Sequence, residues 1–244
     1  MITTKIFGGL LIFLLAINVT FSQLFPSFSI SGGPIVGWHI NKVDVLNNEL
    51  TNAGFPNVSK SGFFTTGGGG FIDLPLKKDF IRIGGLGLGF STNVSKTVND
   101  SLTKAVNYAF GIGGISVEYV KPIKDFDIIF GAVFSTGTLK LDLYQYGRDN
   151  GNYSSIFGEF ANNSSSQNIT RNFKVRFYSI QPQVSFGLLV KKFLYFKLTG
   201  AYLFSFNNTW TVDNDVQVPN FPTGIKANGF LISLGINAGI FLRD

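Results

Sequence analysis

Between Phe230 and Leu242 every second residue is apolar: Phe230, Ile232, Leu234, Ile236, Ala238, Ile240 and Leu242, with Ser233, Gly235, Asn237 and Gly239 set between them. Successive side chains of a β-strand point to opposite faces, so this spacing makes a strand with one apolar face and one small, polar face. Similar alternation predicts further strands upstream, at about 27–40, 63–74, 80–94, 106–120, 126–144, 173–190 and 193–211. The connections then span 41–62, 75–79, 95–105, 121–125, 145–172, 191–192 and 212–228, so long and short alternate throughout.

That alternation is informative. Membrane β-barrels have short turns at one end and long loops at the other, with both termini on the short-turn side when the strand number is even. The expected fold is therefore all-β: an eight-stranded antiparallel up-and-down transmembrane β-barrel with one short helix in the first external loop. The composition agrees. Only 14% of residues are charged, against 27 Phe and 29 Gly, whereas soluble domains carry about a quarter charged residues. Apolar groups facing lipid and small groups facing a narrow interior account for both excesses. A soluble ligand-binding barrel would need the apolar parity to face inward.

Residues 1–22 read as a secretory signal peptide, which leaves residues 23–244 as the barrel domain. Lys5 supplies the basic start, Ile6 to Val19 the apolar centre, and Thr20-Phe21-Ser22 the small-residue cleavage site. The apolar run of about 14 residues is shorter than the ~20 that a membrane-spanning helix needs.

Aromatic residues favour both interfaces of a membrane barrel. At the external end the expected girdle comprises Trp38, Phe63, Phe64, Tyr108, Tyr144, Tyr146, Tyr178, Trp210 and Phe230. At the periplasmic end it comprises Phe80, Tyr119, Phe126, Phe193 and Phe241. The apolar parity slips near Gly113-Gly114 and near Gly137, which predicts β-bulges there. Pro182 lacks an N–H and predicts a bulge or a local gap. The run Gly67 to Gly70 implies close packing or curvature. It lacks the following Gly-Lys-Ser/Thr or helix start of a phosphate cradle. In the first long connection Asn41 is placed to cap a helix whose stripe is Val43, Leu46, Leu50 and Ala53. Such a helix either lids the external mouth or lies at the lipid interface.

Little here suggests chemistry. Parity turns Glu118, Asp127 and Lys197 inward in the periplasmic half, where buried charges must pair. They form either an internal plug or a selectivity site for a small solute. His39, the sole histidine, falls at the external mouth. No metal site is expected, because a second soft ligand is missing, and neither a cofactor nor a catalytic residue is expected. The absence of cysteine excludes disulfides and thiol chemistry. The net charge of +6 does not imply nucleic acid, because many lysines sit in the short turns (Lys77, Lys78, Lys121, Lys124, Lys191, Lys192) and the other basic residues are scattered. Gly147 to Asn172, rich in Asn and Ser, is the longest loop and a candidate contact for an external partner of unknown identity.

The chain resembles the small outer-membrane β-barrel proteins of Gram-negative bacteria. The resemblance rests on the segment ending Phe21-Ser22-Gln23, the run Ile83-Gly84-Gly85-Leu86-Gly87-Leu88-Gly89-Phe90, and the closing strand Leu234 to Leu242. It implies residence in outer-membrane lipid, insertion by the barrel-assembly machinery, and a structural, adhesive or narrow-transport role without catalysis. The terminal aromatic that the machinery favours is displaced, since Leu242-Arg243-Asp244 follow Phe241. A further similarity is confined to three residues. The lipid A palmitoyltransferase family places His, Asp and Ser near the external mouth, and His39, Asp100 and Ser101 are their only counterparts here.

Overall fold

The computed structural model describes residues 27–99, 102–147 and 168–242. The expected signal peptide, the pair Asp100-Ser101 and most of the longest loop lie outside the described residues. Eight long strands carry the architecture: β1 (Phe28–Asn41), β2 (Phe63–Leu76), β3 (Asp79–Asn99), β4 (Leu102–Ile123), β5 (Phe126–Gly147), β6 (Ile169–Val190), β7 (Leu194–Asn207) and β10 (Gly229–Leu242). A small hairpin, β8 (Thr211–Val212) and β9 (Val216–Gln217), leans on β6. Each long strand pairs antiparallel with its neighbours in sequence, and β1 pairs with β10. The ring is thereby closed, and its backbone donors and acceptors are used within the wall. The fold is the expected all-β barrel of eight strands with one helix, α1 (Asp44–Asn52), in the first long connection.

The wall is uneven in height. Strands β1, β2, β7 and β10 have 14 residues each, whereas β3 to β6 have 21 or 22. The expected connection 95–105 is accordingly taken up by strand, with β3 running to Asn99 and β4 starting at Leu102. Strands β3 to β6 rise past the ring at the long-loop end as a one-sided sheet. The inner face of that extension is apolar (Val106, Leu139, Leu141, Val175), and it is covered by α1, Val58 and the segment carrying Trp210, Ile225 and Ala227.

Helix α1 is a lid, one of its two expected placements, with Val43, Leu46 and Leu50 all buried. Its capping differs from expectation. Val43 occupies the N-cap without a side-chain bond, and the Asn41 amide instead donates to the Tyr108 hydroxyl at 2.6 Å inside the barrel. The Tyr108 bond outcompetes the cap because both partners are buried, where an unmet polar group is costly. Lys60 pairs with Asp44 at 2.7 Å and holds that exposed carboxyl below its ordinary value. The lid is fastened by Asn47, whose amide donates to the Val58 carbonyl (3.0 Å) and accepts from the Val58 N–H (2.9 Å).

Three irregularities were expected, and one is found. The ladders of β4 with β3 and β5 run through Gly113 and Gly114 without a shift, as do those of β5 through Gly137. The apolar pattern changes face for another reason. In β4 the inward residues Ser116 and Glu118 give way upward to Ile112, Phe110 and Tyr108, while the outward ones become Ala109 and Asn107. At Pro182 there is a gap rather than a bulge. Pairing of β6 with β7 stops after Ile180–Phe204 and resumes in the same register at Gln183–Ala201. The glycine run of β2 lies where the wall is tight, since a Cβ on Gly69 would stand 2.7 Å from the Gly85 carbonyl oxygen. In the short turns, Lys77, Lys124 and Lys191 take φ of 57°, 57° and 60°, so left-handed residues make the reversals.

Replacing Asn47 by Ala leaves the Val58 backbone without either partner and is expected to cost roughly 1–3 kcal/mol, confined to the lid. Hydrogen exchange should then show faster opening of 44–58 with unchanged protection in β10. Equal loss of protection in both would show that the lid is not a separate unit.

Candidate functional site: the interior and its charged floor

Inside the ring the two halves differ in chemistry. At the short-turn end the inward positions of five strands bring together Asp73 (β2), Arg82 (β3), Glu118 (β4), Asp127 (β5), and Tyr195 and Lys197 (β7). The ladders account for this. Arg82 stands opposite Asp73 on one side and Glu118 on the other. Asp127 stands opposite Gly187, which stands opposite Lys197.

Arg82 is the centre. Its Nε and Nη2 reach the two oxygens of Asp73 at 2.6 and 3.1 Å, a bidentate pair. Nη1 donates to the Tyr195 hydroxyl at 3.2 Å, and Nη2 lies 3.7 Å from Asp127. Tyr195 in turn donates to Asp127 at 2.6 Å. The guanidinium also lies 3.6 Å above the Phe71 ring, a cation–π contact. Beside this group, Lys197 and the Gln183 amide share one Glu118 oxygen at 2.6 and 2.7 Å. Gly187 makes the arrangement possible, because a Cβ there would collide with the Tyr195 hydroxyl.

The sequence pattern singled out Glu118, Asp127 and Lys197, and the fold gathers them with three residues it did not: Asp73, Arg82 and Tyr195. The missed signal was present. Arg82 is a lone charge between Ile81 and Ile83, and Asp73 lies between Ile72 and Leu74, so alternation turns both inward. The glycine run between these positions and the better-patterned stretches hides the parity.

Packed against the charges, Phe71, Tyr195 and Phe241 form an aromatic cluster, with Tyr195 and Phe241 stacked at 5.5 Å. Above them lies a chamber of about 50 Å³, lined among others by Ser116, Gln181, Thr199, Ser233 and Asn237. It has room for no more than a few water molecules. The second Glu118 oxygen is buried without a protein partner. Higher still, the interior turns aromatic: Phe63 stacks on Phe90 at 4.4 Å, Phe90 on Phe110 at 5.5 Å, and Phe110 on Phe177 at 6.0 Å.

His39 sits in this aromatic layer and not at an open mouth. It is 1% exposed, with Phe110 at 4.8 Å and Phe90 at 6.1 Å between ring centroids. Five of the expected interface aromatics are also interior. Tyr108 is buried and bonded to Asn41, and Trp210 is buried in the roof, stacked on Phe221 at 4.2 Å. Phe63, Phe80 and Phe241 are likewise interior. Tyr108, Phe63, Phe80 and Phe241 lie toward the expected ends of their strands but on the inward parity, and Trp210 lies between β7 and β8. Trp38 and Tyr178 do face outward and are exposed, and Tyr144 is half-buried on the outward parity.

The exterior of the ring is apolar on every long strand. Ile30, Val36, Ile72, Ile83, Ile115, Val117, Phe130, Phe134, Val184, Phe186, Leu198, Phe204, Ile232 and Ile236 are all exposed. Phe126 and Phe193 edge this surface at one end, and Trp38, Phe64 and Tyr178 at the other.

No protein-family model matches the chain, and no curated protein matches its sequence. Among solved structures it is similar to Ail, the attachment invasion locus protein of Yersinia pestis, at 11% identity over 88% of this chain and 97% of that one, with a TM-score of 0.38. A second Ail structure, in complex with the heparin analogue sucrose octasulfate, gives the same identity and coverage and a TM-score of 0.33. A likeness this distant says nothing of activity, and the barrel stands on the strand pairing of the chain itself.

Removing the central cation tests the floor. Arg82→Met leaves two buried carboxylates without it and is expected to cost about 3–5 kcal/mol. The double change Asp73→Asn with Arg82→Gln should cost clearly less. Denaturant unfolding in detergent micelles, read by folded and unfolded gel mobility, compares them. Equal losses, or a loss below about 1 kcal/mol for Arg82→Met, would contradict the network.

Proposed function

We propose that this chain is an integral β-barrel of a bacterial outer membrane, exported on its 1–22 segment, with a structural or interaction role and no catalysis. The observation that carries the proposal is the wall itself: apolar side chains exposed outside on all eight strands, while the charged groups Asp73, Arg82, Glu118 and Asp127 are buried inside. A water-soluble protein rarely exposes so large a continuous apolar surface. In lipid, by contrast, such a surface is the expected exterior, and a closed ring has no free strand edge. The tall half of the wall, roofed by α1 and the 208–228 segment, then projects outward as the face available to a partner.

The narrow channel is the second reading. It is opposed by two closures: the Arg82 network with the aromatic cluster packed into it, and the ring stack under the lid. His39 lies enclosed among phenylalanines, which leaves a lipid-modifying reaction without an accessible base.

Purified protein in planar bilayers is expected to produce no stepwise conductance. Regular steps, altered by Lys197→Ala, would favour the channel and overturn the filled-interior proposal.

A further inference from the structure

Just beyond Tyr178, on the outside of the tall wall, three cations gather. Lys140 on β5 and Lys174 on β6 are direct cross-strand partners, and Arg176 stands opposite Thr138 beside them. Their neighbours on the opposite parity, Leu139, Leu141, Val175 and Phe177, are buried, so all three project from the outer face. Like charges placed directly opposite are destabilising in a sheet. Yet none of the three lies within 4.0 Å of a carboxylate among the described residues. Asp142, two residues beyond Lys140, accepts from the Asn107 amide at 3.2 Å instead.

A groove begins at these cations. Lys140 and Arg176 line it with Ala109, Gly111, Thr136 and Thr138, in a depression of about 700 Å³. A Cβ on Gly111 would meet open space, so the floor is low because the side chains are small. At Thr136 it meets a second depression, of about 530 Å³, that descends past Gly113 and Gly114 between Ile115, Phe134, Tyr178 and Phe206. The upper part is cationic, and the lower part is a trough in the apolar exterior. Tyr178 marks the level between them, where aromatic residues meet headgroups. At about 3.3 Å per residue, reduced by strand tilt, Arg176 and Lys174 stand roughly 5 and 10 Å above it.

We propose that this groove binds a phosphorylated glycolipid of the outer leaflet. Its phosphates lie on Lys140, Lys174 and Arg176, and an acyl chain lies along the trough beside Phe134 and Tyr178. The proposal rests on the membrane placement given above. Arg offers a planar fork to phosphate oxygens and the lysines add point charges. The anion relieves the like-charge pairing that the bare wall carries.

The test uses full-length protein refolded into phosphatidylcholine vesicles doped with bisphosphorylated lipid A or with its dephosphorylated form. After extraction in mild detergent, retained lipid is counted by native mass spectrometry. The wild type is expected to retain the phosphorylated form at least about tenfold better. The triple variant Lys140→Gln, Lys174→Gln, Arg176→Gln should lose that preference. Gly113→Leu, which fills the trough and keeps the cations, should also weaken retention, and millimolar pyrophosphate should not displace the lipid. Equal retention of both forms, an unaffected triple variant, or displacement by pyrophosphate would each overturn the proposal. All variants are first checked for a folded band that shifts on boiling. Should the triple variant lack it, Lys140→Gln and Arg176→Gln singly carry the comparison, each expected to reduce retention about threefold. Wild-type protein that enters neither vesicle overturns the membrane placement, whereas insertion without phosphate preference overturns this proposal alone.

Discussion

Eight strands closed into a ring enclose a space only wide enough for side chains, and that width governs the rest of the molecule. Every inward position must either be small or fit against the strand opposite. Glycine at 187 admits the Tyr195 hydroxyl, and Tyr195 then joins Arg82 to Asp127. Closure also fixes which charges meet. Arg82 is bracketed by Asp73 and Glu118 because β3 lies between β2 and β4 with no shift in register there. A buried bidentate arginine is weak evidence for stability, since desolvation offsets much of its attraction. Its value here is specific: three carboxylates converge on the floor, and cations must accompany them.

The interior is layered because the wall is uneven. Where all eight strands are present, the ring fills itself with polar and charged groups in its lower part and with stacked rings in its upper part. Above that level only β3 to β6 continue, and half of the enclosure is missing. Apolar residues on the inner face of those four strands then need a cover, which α1 and the segment before β10 supply. The lid is thus a consequence of strand length and does not depend on any ligand.

Much of this was legible in the sequence. Alternation in β10 gave its two faces correctly, because its outward residues are bulky and apolar and most of its inward ones small or polar along the whole strand. The same rule failed in β4 and β5. There the interior itself turns apolar, so Phe110 and Leu139 mimic outward residues and the change of face passes for a bulge. Tyr108 and Trp210 were misplaced for the same reason: an aromatic at a strand end suits a lipid interface and a ring stack equally. Glycine runs carry no parity at all, which hid Asp73 and Arg82. The outer cation cluster was invisible for yet another reason. Lys174 and Arg176 lie two residues apart on β6, but Lys140 joins them only when β5 pairs with β6.

The chain contains no cysteine, so single cysteines carrying a polarity-sensitive fluorophore can be read one at a time along β10. In vesicles of bromine-labelled lipid, labels at Phe230→Cys, Ile232→Cys, Leu234→Cys and Ile236→Cys are expected to be quenched. Labels at Ser233→Cys and Asn237→Cys, inside the wall, should not be. A quenching pattern of period two in that phase is what an apolar exterior facing lipid requires. Quenching in the opposite phase, or none at any position, would contradict the account.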